Sequence, residues 1–376
     1  MGLRRWVVGR AVRAARVLVV ECPGARPARM AAEQAVAARG WRIAQTPASA
    51  DVLLVVGEVR GGLDEVVDRL WEALPGPRAR ADVRTEGDAA AALARAAAVL
   101  VDGRGQRADA EQRDAAGAGP GDDTGGHDHD DTGGHDHDDM DMAPDGIPLA
   151  EGAEQDRDGL EMDALPVRLG PVLPDWPAGL VIDVVLHGDL VVTAAAAAVG
   201  GPEHDPVSEP LPEDTATVAA ARCDDVAAVL ALAGWEEGAR AARSARDVLL
   251  ARRGDDARAT LVDLRHRVEH SRWLRWSLAG TGTVTPERAR DLGLAEDVVG
   301  DCRDRLLVLI TRAEAAARRY GASGLDAPVP DVPAVPLTAV GPLLEGCDLG
   351  AARLVVASLG SDLVPDPVPQ REAAGA

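Results

Sequence analysis

Asp51–Gly57 reads DVLLVVG, five apolar residues between an acidic residue and a glycine. An unbroken apolar run of that length predicts a strand covered on both faces, as in a parallel sheet flanked by helices. The stretches around it agree. Arg16–Glu21 (RVLVVE) is a second short apolar run, closed by Cys22-Pro23-Gly24. Arg26–Arg39 is alanine-rich, carries Pro27 near its start and is followed by Gly40, which marks a helix with a glycine stop. Trp41–Ala44 and Ala79–Arg84 read as strands, and Gly62–Leu74 and Gly87–Val101 as helices. Strands alternating with helices predict an α/β domain with a parallel, flavodoxin-like sheet over residues 1–105.

The pattern then changes. Asp102–Met162 is rich in Gly, Asp, Arg and Gln and poor in large apolar residues. Such a stretch cannot bury enough surface to offset its ordering entropy, so a disordered, acidic linker is expected over 106–162. Inside it Asp123–Asp130 reads DTGGHDHD, and Asp131–Asp138 repeats those letters. Residues 163–364 form a second domain in this reading, α+β and mostly helical. Val181–Leu186 and Leu190–Thr193 flank His187-Gly188-Asp189 as a β-hairpin. Helices follow from Asp214 to Leu278, with Gly234, Gly238 and Gly254 as candidate breaks. Thr285-Pro286-Glu287 is a helix start, and Asp301–Tyr320 another helix. Ser323–Pro336 reads as extended, Leu337–Leu363 as one helix and a strand, and 365–376 as a disordered tail.

Bulk composition excludes some functions. Of the 376 residues 46% are hydrophobic, with no Phe and a single Tyr, and every basic residue is Arg. Net charge is −22, which argues against nucleic-acid binding, because phosphate contacts need a basic surface. Cys22, Cys223, Cys302 and Cys347 lie far apart in sequence, which fits neither a disulfide framework nor a CxxC metal site. No apolar run reaches the roughly 18 residues of a membrane span. Met1–Arg10 has the charge of a signal peptide without its apolar stretch. A cytoplasmic protein is expected, held at the cytoplasmic face of the membrane if its partners sit there.

Two stretches carry a resemblance. Pro47–Val59 (PASADVLLVVGEV) and Val66–Pro77 (VVDRLWEALPGP) resemble the strand, helix and turn of the complex I subunit related to hydrogenase small subunits. Leu169–Pro174 (LGPVLP), Gly179–Val192 and Arg272–Leu294 (RWLRWSLAGTGTVTPERARDLGL) resemble its partner, related to the large subunit of nickel–iron hydrogenases. The chain thus looks like a fusion of small-subunit-like and large-subunit-like domains of NADH-quinone oxidoreductase. The resemblance implies partners among the other subunits of a respiratory or hydrogenase-like complex, with peripheral membrane association through them.

The departures from that family bear on chemistry. An iron–sulfur cluster of this type needs four thiolates. Here Cys22 stands alone, a relic position, and Ala25 occupies the place of a CxxC partner. No cluster and no catalytic residue are therefore expected. The family's first histidine, associated with quinone, corresponds to Leu173 and its second to Pro177 or Ala178. The expectation is an accessory or non-catalytic subunit. Two alternatives stand beside it: a metal-binding or delivery protein, and a genuine NADH-quinone oxidoreductase subunit whose redox centres come from partners.

The remaining candidates are local. His127, His129, His135 and His137 alternate with Asp, a donor set suited to Zn²⁺, Ni²⁺ or Cu²⁺, with Met140 and Met142 as thioether donors for Cu(I). The competing reading is a solvated linker that arose by duplication. His266-Arg267-Val268-Glu269-His270 spells HxxEH, the order of inverted zinc proteases. Its many arginines favour a plain basic helix instead. Cys22 at a strand-to-helix turn would be an activated thiol or an inert relic. Gly280–Thr283 reads as a turn, not a phosphate loop, since no GK[ST] follows. Trp273 and Trp276 are expected to pack on a partner or in the core.

Overall fold

A computed structural model describes residues 14–117, 164–200, 215–323, 335–360 and 363–364. The His/Asp repeat, the tail from 365 and the Pro-rich stretch 324–334 lie outside the described residues.

The first domain follows the expected α/β alternation. Strands β1 (Arg16–Glu21), β2 (Arg42–Ile43), β3 (Val52–Val56) and β4 (Ala79–Val83) form one parallel sheet in the order β2-β1-β3-β4. All five side chains of β3 are buried, which is why its sequence lacks the alternation of a half-exposed strand. Helix α1 (Arg26–Ala38) packs on β1 and on α3 (Ala89–Val101), while α2 (Leu63–Ala73) packs against β3 and the 47–49 turn. Glu21, Val56 and Val83 are in register, so β1, β3 and β4 end together. Cys22 follows directly, its amide donating to the Val56 carbonyl at 2.8 Å.

Order persists beyond the boundary expected from composition. Helix α4 spans Gly103–Gly117, so the linker does not begin at 106. Its sequence is polar, and tertiary contacts make up for that. Gln106 closes a two-way bond with the Arg78 backbone, accepting from its amide at 2.9 Å and donating to its carbonyl at 2.8 Å. The Arg78 guanidinium donates to Asp109 at 2.9 Å and lies 4.1 Å from the Trp71 ring centroid. Hydropathy carries no trace of such contacts.

The second domain opens with an antiparallel sheet of β5 (Ala164–Leu169), β6 (Leu180–His187) and β7 (Leu190–Ala198). The expected hairpin is its β6–β7 pair, longer than the sequence suggests. Helices α5 (Thr215–Leu232), α6 (Glu236–Leu250), α7 (Gly254–His270), α8 (Arg272–Leu278), α9 (Pro286–Asp291) and α10 (Cys302–Ser323) follow. The core lies where α5 meets α6 and α10, and α7 meets both of those. Gly234 ends α5 as expected, but Gly238 lies inside α6, where its bare Cα faces the Trp235 ring. Thr285 caps α9 by accepting from the Arg288 amide at 3.2 Å, with Pro286 in the first turn. The last stretch holds two helices where one was expected, α11 (Leu337–Leu344) and α12 (Leu349–Ser358), with β8 (Val335–Pro336) paired to β9 (Leu363–Val364). Glu345, Gly346 and Cys347 turn the chain between them, and Asp348 caps α12.

Candidate functional site

The two domains meet along α1, and the meeting surface is charged. Arg26, Arg29 and Glu33 sit at i, i+3 and i+7 of α1, which puts them on one face of a helix otherwise made largely of alanine. Across from them α5 presents Asp224 and Asp225, and α6 presents Arg246. Arg29 donates to Glu21 and to Glu33, each at 2.6 Å, and also to Asp224. Arg26 donates to Asp225 at 2.5 Å and to the Ala221 carbonyl at 2.7 Å. Arg246 donates to Glu33 at 2.6 Å, to Asp224 at 2.8 Å and to Asp247 at 2.9 Å. Arg243 holds Asp175 at 3.1 Å on the β5–β6 loop. Met30, one turn from Arg26, is fully buried in the core of the second domain.

Charge balance decides the state of these groups. Burial pushes the Asp224 carboxyl up, but Arg29, Arg246 and Arg26 together hold it well below the usual carboxylate range. Glu33 is likewise lifted by burial and lowered more by Arg29 and Arg246. For Glu21 burial outweighs Arg29 and Arg26, and its carboxyl rises. Asp175 rises for the same reason against Arg243. Asp224 and Glu33 are thus paired anions, and the arginines are fixed cations. This arrangement clamps two domains, with Asp224 and Glu33 lowered and Glu21 and Asp175 raised.

Beside the clamp runs a cleft of about 1680 Å³. Its lining combines the clamp residues Glu21, Arg29, Glu33 and Asp224 with apolar Trp41 and Trp176. Trp176 is fixed by donating from its ring nitrogen to the Leu180 carbonyl at 2.8 Å. Leu173, Pro177 and Ala178 all line the cleft. None of the three carries a side chain that donates, accepts or ligates.

Cys22 is fully buried at the end of β1, next to this cleft. Burial and then the neighbouring Glu21 push its thiol up to about 11, so it is a protonated, inert thiol at neutral pH. Gly57 is packed directly over it. A Cβ there would lie 2.8 Å from the Cys22 Cβ and 2.6 Å from the Ala25 Cβ. One thiol in a closely packed turn does not fit a tetranuclear cluster, which takes four thiolates. The other three cysteines belong to the second domain, and burial raises each of their thiols as well.

The remaining candidates separate. His127, His129, His135 and His137 lie outside the described residues. His266 and His270 stand exposed on α7 with rings stacked at 4.2 Å, and Glu269 accepts from Arg265 at 2.9 Å. Among the described residues no three His, Cys, Asp or Glu side chains gather as a metal site. At the Gly280–Thr283 turn the Gly280 amide donates to Asp301 at 2.9 Å, and the Gly282 carbonyl accepts from Arg305 at 2.9 Å. Arg305 is buried and also donates to Ser358 at 2.8 Å and to the Gly300 carbonyl at 2.9 Å. The turn is a stapled corner. The interdomain clamp was not foreseen from sequence, although two signals exist: the Arg26–Arg29–Glu33 stripe, and the Asp224-Asp225 pair inside an Ala/Val helix.

No protein-family model matches the chain, and no curated protein matches it.

Proposed function

We propose that the chain is a non-catalytic, accessory scaffold related to the small-subunit and large-subunit pair of NADH-quinone oxidoreductase and membrane-bound hydrogenase. It acts within or beside such a complex. The observation that carries this reading is the charged clamp: Arg26, Arg29 and Glu33 of one domain are bonded to Asp225, Asp224 and Arg246 of the other, in that order. A fused pair of subunits keeps such a contact as an internal joint. The strand order β2-β1-β3-β4 supports a flavodoxin-like first domain, matching the first four places of the 2-1-3-4-5 order. The side chains at Cys22, Ala25, Leu173 and Pro177 support loss of chemistry with retention of scaffold. Affinity-tagged chain, expressed in its native cells and run on a native gel, is expected to migrate within a complex that contains intact small-type and large-type subunits. Migration at its own 39.0 kDa alone would count against the proposal.

A second reading is supported by the repeated H-x-H pattern of His127, His129, His135 and His137. Imidazole and carboxylate donors in tandem suit capture of nickel, zinc or copper for storage or delivery. Calorimetric titration of the full chain against one lacking residues 121–142 tests it. Loss of binding on deletion supports the reading, and unchanged binding removes the repeat as the site.

A further inference from the structure

Helix α8 buries Leu274 and Leu278 and turns its other side chains outward. Trp276 is 81% exposed and Trp273 46%. Soluble surfaces seldom leave an indole that bare without a use for it. The i, i+3 spacing sets the two rings on one side of the helix, and Arg272 and Arg275 make a parallel pair beside them. At the end of α7, next in sequence, His266 and His270 are exposed too. On α8 Arg272 and Arg275 have no acidic neighbour within the helix, whereas on α7 Arg265 is paired with Glu269 and Glu314, and Arg267 with Glu237 and Asp263. The Glu269 carboxylate accepts from Arg265. A chain of net charge −22 therefore presents here a cationic and aromatic patch.

We infer that α8 seats this chain directly on an anionic lipid surface. The guanidinium groups of Arg272 and Arg275 match the oxygens of headgroup phosphates, which they bind in bidentate fashion. Indole rings settle at headgroup level, apolar body inward and N–H toward water. Trp276 leaves most of its ring free to enter such a layer, while Trp273 keeps one edge beside Gly234. The overall negative charge does not prevent contact, because repulsion fades over a Debye length of ~8 Å at physiological salt, leaving the local patch in control. The contact proposed is a peripheral one, made by the exposed side of α8. It stands apart from the scaffold reading: a chain that joins no larger complex still binds lipid through this patch.

The full chain is tested by co-sedimentation with vesicles of phosphatidylcholine and phosphatidylglycerol in equal parts, against vesicles of phosphatidylcholine alone. Binding to the mixed vesicles only is expected. Trp276→Ala, and separately the pair Arg272→Glu and Arg275→Glu, are expected to weaken it roughly tenfold or more. Arg69→Glu on α2, a like change of charge elsewhere on the surface, is expected to leave it unchanged. Binding to neither vesicle, equal binding to both, or variants that bind like the parent chain would each overturn the inference. So would binding of a synthetic peptide of residues 121–142 that depends on Trp276 where vesicles fail, because the patch would then serve an acidic protein segment.

Discussion

Asp224 and Glu33 each accept from both Arg29 and Arg246, so these four side chains close the clamp on both sides. Removing one partner from a buried pair leaves the others with uncompensated charge, which costs about 3–5 kcal/mol. Arg246→Ala is therefore expected to lower the unfolding free energy by about that much, read from urea denaturation. The pH dependence follows from the same groups. Asp224 and Glu33 are held below their ordinary values of 3.8 and 4.5, so the stability they supply is complete above those values and is lost as pH falls beneath them. Glu21 and Asp175 are raised, so their ionisation in the folded chain costs stability near neutrality, and protonation relieves that cost as pH falls toward 4.5. A urea midpoint that rises slightly from neutrality and then drops steeply below 3.8 is expected. A midpoint falling steadily from neutrality would contradict this assignment. The residue chemistry was only partly legible in the sequence. Cys22 and Ala25 could be weighed from their letters, but Asp224 became informative only once folding set it opposite three arginines of distant origin.

At the scale of elements, close approach of backbone explains several glycines. Gly57 has φ +99°, and a Cβ there would press on both Cys22 and Ala25. Gly57→Ala is expected to destabilise by about 1–3 kcal/mol, from combined strain and overpacking. Gly341 lies inside α11, where glycine is a poor helix former. A Cβ at this position would sit 2.1 Å from the Ala194 carbonyl oxygen of β7. Gly341→Ala is thus expected to lower the melting temperature, although the same change in an open helix raises it. Removal of the Thr285 cap by Thr285→Ala is expected to cost about 1 kcal/mol, checked in the same melts. The sequence displayed β3, α1 and the Thr285 cap because their signals are local: an apolar run, a glycine stop, a hydroxyl before proline. Helix α4 was hidden because its stability comes from Arg78 and Asp109, 31 residues apart. The break between α11 and α12 was hidden because both helices are apolar and the turn between them is short.

At the scale of the molecule, two domains of different architecture form one body. Sequence alone left open whether they pack together. The contact joins residues such as Arg246 and Glu33, 213 positions apart, and no periodicity reports on that. Met30 of the first domain completes the core of the second, so disruption of the clamp is expected to loosen both. Hydrogen exchange of Arg246→Ala should show faster exchange in α1 and α5 together. Protection lost in only one of them would mean that the domains are coupled less tightly than the bonds imply. The scaffold reading rests on this joint and on the side chains that stand at Cys22, Ala25, Leu173 and Pro177. Its most direct test is iron and acid-labile sulfide measured on the full chain purified without oxygen, together with its visible spectrum. A colourless protein without stoichiometric iron is predicted. Iron and sulfide in the ratio of one whole cluster per chain, lost on Cys22→Ala, would contradict it.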